Sequence, residues 1–317
     1  MDVLILGLSS IAQRRVVPAL RSLPSVGRID VATRKAANGA VDWSHGDVYP
    51  DYRLALDKSS AELVYVSLIN SEHEPWATQA IRAGRHAVVD KPSFLGVRPA
   101  EAMLDLAAHR GVCLAEATVY AYHPQVQLVR SLFAEADCVP TRLSAEFCFP
   151  DLEPTNFRYR QAFGGGALWD VGPYAVSLGR VFFGEEPTEV ACQVSSSDGP
   201  DLVDAAFATV ATYSGGRSLS GLFGFGSVYR NRVDVLGESI GVEVDRIFTT
   251  PPDLANELRV TRTSGASVVE APSGDAFAEF FGHVCCSIEQ RDWSGLTADL
   301  LADARTLQRL RDAAGAR

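Results

Sequence analysis

Lys91 stands in Val88-Val89-Asp90-Lys91-Pro92, directly after an apolar run that reads as a buried strand. An ammonium at the end of a parallel strand lies on the sheet's ligand-binding edge. There it can donate to a substrate oxygen and support negative charge as it develops. Pro92 lacks an N–H and fixes φ, which predicts a sharp turn, and Asp90 is a local counter-charge. A lysine in an ordinary surface turn has the same sequence signature. The second constellation is Phe163-Gly164-Gly165-Gly166-Ala167-Leu168-Trp169-Asp170-Val171-Gly172-Pro173-Tyr174. On one helix Asp170 and Tyr174, four apart, share a face. The glycines permit close approach of backbone to a ligand. The Tyr174 phenol, ordinarily near about 10, is an acid whose pKa a neighbouring ammonium lowers. A core tyrosine bonded to a buried aspartate is the alternative.

A third segment, Gly7-Leu8-Ser9-Ser10-Ile11-Ala12, lies between the first apolar run and the first amphipathic one. Dinucleotide-binding turns place Gly at the tight turn, Gly where backbone meets pyrophosphate, and Gly or Ala where helix packs on strand. Gly7 and Ala12 meet the first and third demands. Ser9 departs at the second, where it still presents an N–H and adds a hydroxyl donor. The helix start then holds the diphosphate through Ser10 and Ile11 amides and the dipole; an ordinary strand–helix turn is the alternative. The cofactor type follows from Arg28-Ile29-Asp30-Val31-Ala32-Thr33-Arg34-Lys35. Asp30 is at the sequence distance of a ribose-binding acid, but near the beginning of its strand, about 13 Å of extended chain from Arg34. Thr33, Arg34 and Lys35 lie at the carboxyl end, where the ligand sits. Arginine pairs with phosphate and stacks on adenine. The expectation is therefore NADP(H) in preference to NAD(H), against a pair of solvated surface cations.

These segments need a scaffold, and the patterning supplies one. Short apolar runs at Val3–Leu6, Ile29–Thr33, Leu63–Ser67, His86–Val89 and Val112–Ala115 alternate with helical stretches at Ser10–Leu20, Glu74–Ala83 and Arg98–His109. That order predicts a doubly wound parallel sheet. After about Tyr122 the strands lengthen and alternate: Arg142–Phe149, Glu189–Ser196, Ala205–Tyr213, Ser218–Phe225 and Tyr229–Leu236. They read as antiparallel strands with one face packed, with Gly215-Gly216 as a hairpin turn. A helix over Ala167–Phe183 interrupts them, and Asp275–Gln290 and Leu296–Asp312 form a helical tail. The expected fold class is α/β: a first domain over 1–120 and an α+β domain with a large open, mainly antiparallel sheet over 121–317, the tail helices packing back toward the first.

The chain's 317 residues, 47% hydrophobic and 21% charged, exclude global disorder and suffice for two cores. A net charge of −10 disfavours nucleic acid as a main partner. No apolar run approaches a membrane span, and the opening MDVLILGL reads as a strand rather than a signal peptide. The six cysteines form no CxxC pair, which argues against zinc and reads as core thiols of a reducing, cytoplasmic compartment.

Taken together, Gly7–Ala12, Tyr65–His73 with Trp76, Ala83-Gly84-Arg85-His86, Asp90-Lys91-Pro92 and Gly164–Tyr174 resemble the glucose–fructose oxidoreductase/inositol dehydrogenase (Gfo/Idh/MocA) family over nearly the whole chain. The family usually has Glu-Lys-Pro where this chain has Asp90, a Pro-rich turn where it has Leu68-Ile69-Asn70, and His where it has Tyr174. That last departure, with Arg14-Arg15, Pro18-Ala19, Tyr122-His123-Pro124-Gln125, Asn156-Phe157-Arg158-Tyr159, Tyr229-Arg230-Asn231, Asp245-Arg246-x-Phe248 and Pro251-Pro252, is similar to the nucleotide-sugar 3-ketoreductase branch of deoxysugar biosynthesis.

The resemblance implies a Rossmann domain, a C-terminal sheet that pairs in homodimers or homotetramers, and NADPH-dependent reduction of a keto-sugar held between the domains. It implies cofactor contacts from Gly7, Ser9, Ser10, Ile11, Ala12, Thr33, Arg34, Lys35, Leu68, Asn70, His73, Asp90 and Lys91. Tyr174 is the expected proton donor and Lys91 the electrostatic stabiliser or itself the donor. Asp170 orients Lys91 or binds a sugar hydroxyl. His123 is a substrate contact or a structural helix-start histidine. Arg158, Tyr229, Arg230 and Arg246 meet the diphosphate or base, or form ion pairs. A dehydrogenase of a free sugar or cyclitol, and a non-catalytic nicotinamide-binding regulator, are the competing readings.

Overall fold

The computed structural model describes residues 1–34 and 41–315. The chain divides into two compact units, one of residues 1–117 with 277–301, the other of 118–276 with 302–317.

In the first unit, β1 (Val3–Leu6), β2 (Ile29–Ala32), β3 (Val48–Tyr49), β4 (Leu63–Val66), β5 (His86–Val89) and β6 (Leu114–Glu116) form one sheet in the order β3-β2-β1-β4-β5-β6. Every pairing is parallel. Every residue of β1, β2 and β4 is buried, as expected of strands covered on both faces. The covering helices include α1 (Val17–Ser22), α2 (Tyr52–Lys58), α3 (Asn70–Arg82) and α4 (Val97–Arg110), joined by α8 (Ala276–Gln290). Phe281 of α8 meets Tyr65 of β4 edge-on at 5.5 Å. The helix expected over Ser10–Leu20 contains a π turn, Ala12–Val16, before α1. The wide turn falls immediately before Pro18, which has no N–H to offer the carbonyl four residues back. The two-residue β3 and α2 were not expected, since neither is long enough to show a period.

In the second unit, α5 (Pro124–Glu135), α6 (Ala167–Asp170) and α7 (Gly172–Phe183) accompany eight strands. These are β7 (Arg142–Phe149), β8 (Glu189–Asp198), β9 (Val203–Thr212), β10 (Ser218–Phe225), β11 (Arg230–Leu236), β12 (Ile240–Asp245), β13 (Glu257–Arg262) and β14 (Gly265–Glu270). Their order is β14-β13-β12-β11-β7-β10-β9-β8. The pairing is antiparallel except between β10 and β7, which run parallel in full register from Ser218↔Arg142 to Phe225↔Phe149. The sheet is thus mainly antiparallel, as expected; strand alternation carries no information about direction, so it could not single out the one parallel pair. Leu143, Ala145, Phe147, Phe207, Leu219, Phe223, Val233 and Val235 form the buried face. The strands β12 to β14 escaped the sequence reading because they are short and β14 is almost wholly exposed. The last helix, α9 (Ser294–Ala313), begins among residues of the first unit and ends among those of the second.

Candidate active site

Each unit holds one cluster of the chemistry-bearing residues. In the first unit they line the carboxyl edge of the parallel sheet, where strand order reverses between β1 and β4. Gly7 follows β1 with φ +94°, and a Cβ there would overlap the Ser67 carbonyl oxygen and the Leu68 side chain. Glycine is therefore required by both conformation and space. Ser9 was expected to present its N–H and add a hydroxyl donor at the phosphate turn. Its Oγ accepts the Ala12 N–H (3.0 Å) and bonds Ser67 Oγ (2.7 Å), which makes it the helix cap. The first-turn amides of Ser10 and Ile11 remain directed beyond the helix start, where the dipole favours an anion. Ala12, fully buried, packs the helix onto the sheet.

Thr33, buried, and Arg34, exposed, follow β2; Lys35 lies outside the described residues. The Arg34 guanidinium lies 5.4 Å from the Tyr52 ring centroid. Tyr52 in turn meets Trp76 edge-on at 5.0 Å, and Trp76 donates to Glu72 (3.0 Å). Asp30 is occupied elsewhere: it accepts Ser59 Oγ (2.6 Å), the Asp47 N–H (2.8 Å) and Arg28 Nε (2.7 Å). Burial pushes its carboxyl up, and these bonds outweigh burial and leave it below the usual carboxylate range. An acid spent inside the fold leaves a cation at the carboxyl end of β2.

Lys91, half-buried, follows β5 through a cis Lys91–Pro92 peptide. His73 was expected to contact the cofactor from the start of α3. It is buried, with Nδ1 at 2.8 Å from the Pro92 carbonyl and Nε2 at 3.1 Å from the Leu68 carbonyl. The ring thus ties the loop after β4 to the Lys91-Pro92 turn. Burial pulls its pKa down, against Asp90 and the two carbonyls. Desolvation raises the Asp90 carboxyl, opposed by His73, Lys91 and the Tyr65 hydroxyl. The Ser93 N–H donates to Glu116 (2.7 Å) at the end of β6, fixing the far side of the turn. Asn70, also buried, opens α3.

In the second unit the helix expected over Ala167–Phe183 is broken. Asp170 ends α6, Val171 has φ −113° and ψ −10°, and α7 begins at Gly172. Pro173 has no N–H for the Trp169 carbonyl and suits the first turn of a new helix. Asp170 and Tyr174 are therefore placed by a break and not by one continuous helical face. Asp170, 6% exposed, is paired with Arg158 through Nε–Oδ2 at 2.8 Å, and Arg158 stacks at 4.7 Å over Phe157. Of the alternatives for Arg158, the ion pair is what the fold contains. Gly165 and Gly166 are pressed into place: a Cβ on Gly165 would overlap the Arg158 carbonyl, and one on Gly166 would overlap the Asp204 carboxylate.

Tyr174, half-buried, stands among Phe147 (4.9 Å), Phe248 (5.1 Å) and Tyr120 (5.9 Å). Tyr120 is itself fixed by a 2.9 Å bond between its hydroxyl and Ser177. Buried amides hold the Phe248 loop. The Asn231 side-chain Oδ1 accepts the Phe248 N–H (3.0 Å) and its Nδ2 donates to Thr249 (2.7 Å) and Tyr229 (3.0 Å). Gln125 donates to Thr250 (2.6 Å) and accepts from Asn256 (3.0 Å). Arg246, at φ +53°, carries its guanidinium 5.9 Å from the exposed Tyr229 ring; Arg230 is exposed at the start of β11. His123 caps α5, its Nδ1 accepting the Gln125 N–H (3.1 Å), which is the helix-start role.

Sequence reading missed Asp204 and gave no role to Asn231, Gln125 and Ser67, which it named only within longer segments. Most of their partners lie far off in the chain, and for Asp204 the local signal was a polar residue within an apolar alternation, Val203-Asp204-Ala205. Cys113 and Cys285 are buried, but Cys138, Cys148 and Cys192 are half-exposed and Cys286 exposed, which corrects the expectation of core thiols; all six are free. Among the described residues no helix is long and apolar enough to cross a membrane.

Residues 1–118 match the oxidoreductase family with NAD-binding Rossmann fold, and residues 139–243 match the GFO/IDH/MocA C-terminal domain. Two enzymes named dTDP-3,4-didehydro-2,6-dideoxy-alpha-D-glucose 3-reductase are similar along most of the chain. That of Streptomyces violaceoruber is 30% identical over 86% of this chain and 83% of its own. That of Actinomadura kijaniata is 28% identical over 92% and 89%. The crystal structure of a 3-ketoreductase from Actinomadura kijaniata in complex with NADP and TDP-benzene superposes with a TM-score of 0.90 at 25% identity, covering 99% of this chain and 98% of that one.

Proposed function

The chain belongs to the GFO/IDH/MocA oxidoreductase family, and from that premise we propose that it uses NADPH to reduce the keto group of a nucleotide-linked 3-keto deoxysugar. The observation that carries the reading is that a chain matched nearly end to end by the 3-reductases holds both Lys91, on a dinucleotide-type sheet edge of its first unit, and Tyr174, set among aromatic rings of its second.

The first unit's residues fit the cofactor. The Gly7 turn packs closely on the Ser67 carbonyl, and the helix start that follows offers the Ser10 and Ile11 amides to a diphosphate. Arg34, propped on Tyr52, supplies the cation for a 2′-phosphate, while Asp30 is consumed at the other end of its strand. When bound, the nicotinamide supplies the hydride. Lys91 supports negative charge growing on the substrate oxygen, and the Tyr174 hydroxyl gives that oxygen its proton. The surrounding rings hold the phenol's direction. Asp170, neutralised by Arg158, accepts a sugar hydroxyl; Tyr229, Arg230 and Arg246 meet the nucleotide portion, where planar guanidinium groups suit phosphate oxygens. The outer face of the eight-stranded sheet, with Val210 and Leu222 half-exposed, supports pairing of two copies. Free thiols and this substrate class support a cytoplasmic enzyme.

The test is NADPH oxidation with dTDP-linked 3-keto deoxysugars beside free sugars and cyclitols under NADP+. Turnover confined to the nucleotide-linked ketones is the expected result. Turnover of a free sugar or cyclitol alone would replace the substrate class, and cofactor binding without turnover on any of them would replace the activity.

A further inference from the structure

The four-residue α6 ends on Asp170 and leads, through Val171, into the first turn of α7 with Tyr174. Its own N-cap is Gly166, which has no side chain to satisfy the first amides. The cap comes from a distant strand. Asp204 of β9 accepts the Leu168 N–H through Oδ2 at 2.5 Å, thirty-six residues away. The same carboxylate fills the space above Gly166, so that only glycine fits there.

The other side of α6 is held from the end of the chain. Arg311, near the end of α9, is 8% exposed, with its guanidinium carbon 3.9 Å from the centroid of the Trp169 ring. Leu307 of the same helix presses on Gly172, where a Cβ would crowd it. Asp204 and Arg311 attract one another electrostatically. Two ionic groups withdrawn from water are costly unless they are paired and bonded. Here each grips a different part of one short helix, the carboxylate its N–H groups and the guanidinium its tryptophan.

We propose that Asp204 and Arg311 form a positioning pair that sets α6 and the break at Val171, and thereby the placement of Asp170 and the Tyr174 phenol. The inference rests on the reading of Tyr174 given above. It predicts a pH signature. Burial favours the neutral form of Asp204 and Arg311 opposes it; the Cys192 thiol on β8 also lies within electrostatic reach of Asp204, and Asp312 within reach of Arg311. Protonation of Asp204 weakens its hold on the helix amides, so kcat falls on the acid side. Removing the Arg311 charge moves that fall to higher pH.

The experiment compares Asp204→Asn, Arg311→Met and Arg311→Lys with Tyr174→Phe, using NADPH and a dTDP-linked 3-keto deoxysugar. Each variant is first checked by thermal melting and NADPH titration, since the proposed cofactor residues belong to the other unit. In folded Asp204→Asn and Arg311→Met, kcat falls on the order of tenfold or more with NADPH affinity kept. The acid limb of the kcat profile moves upward in Arg311→Met and disappears in Asp204→Asn. Arg311→Lys keeps the charge without the planar face; it restores the limb but only part of kcat, and it replaces Arg311→Met should that variant not fold. If Tyr174→Phe is slow while these variants keep kcat within about twofold of the parent and an unmoved pH profile, the positioning role is wrong and the reading of Tyr174 survives. If Tyr174→Phe itself turns over normally, that reading fails first.

Discussion

The sheet edge of the first unit and the α6–α7 break of the second solve the same problem by different means. On the sheet edge, position is set mainly by backbone: strand ends, a glycine turn against the Ser67 carbonyl and a helix start, with the His73 ring tying two carbonyls together. At the break, position is set by side chains from other elements, among them Asp204, Arg158, Phe147 and Phe248. Backbone scaffolds tolerate most side-chain changes and fail at a few glycines. Side-chain scaffolds are exposed to change at every contributing position.

The largest effects should fall on the proposed reacting groups. Lys91→Ala and Tyr174→Phe should each lower turnover on the order of 10²–10⁴-fold while NADPH binding, measured by fluorescence titration, stays nearly intact. Selective loss of NADPH affinity in Tyr174→Phe would blur the contrast between the units. Next is Gly7→Ala. With φ +94° and no room for a Cβ, it should cost about 2 kcal/mol or more, seen as a lower Tm, together with weakened NADPH binding. An unchanged Tm would show that this turn is not set by backbone space. Arg34→Ala should weaken NADPH about tenfold or more and leave NADH within about twofold. An equal loss for both would remove the 2′-phosphate role.

The smallest effect concerns the acid inside β2. Asp30 is held below its unfolded value, so its stabilising contribution is present above about pH 4. It is lost as pH falls through the lower, folded value. Urea melts of the parent should therefore weaken across that acid window, and Asp30→Asn should flatten the trend. The same slope in both proteins would mean that Ser59 and Arg28 do not favour the ionised form.

The contrast also explains what could be read from the residues alone. Gly7–Ala12 and Asp90-Lys91-Pro92 were legible because their geometry is local: a strand end, a turn and a helix start are written in consecutive residues. The apolar faces of β7 and β10 were legible from alternation, but their parallel pairing was not, since a period of two is the same in either direction. Gly172-Pro173 carried a signal for the helix break that the four-residue spacing of Asp170 and Tyr174 obscured. The bonds of the Ser9 hydroxyl and the His73 ring were not legible, because their partners, Ser67 and the carbonyls of Leu68 and Pro92, come together only when β1, β4 and β5 align. Asp204 and Arg311 carry no motif, and only the packed fold gives them a task.

The most direct test of the central claim is a double-mutant cycle on single-turnover NADPH oxidation with a dTDP-linked 3-keto deoxysugar. If Lys91 and Tyr174 serve the same oxygen in the same step, Lys91→Ala combined with Tyr174→Phe should be little slower than the worse single variant. Rate losses that simply multiply would mean that the two groups act independently, and the account of their joint chemistry would be wrong.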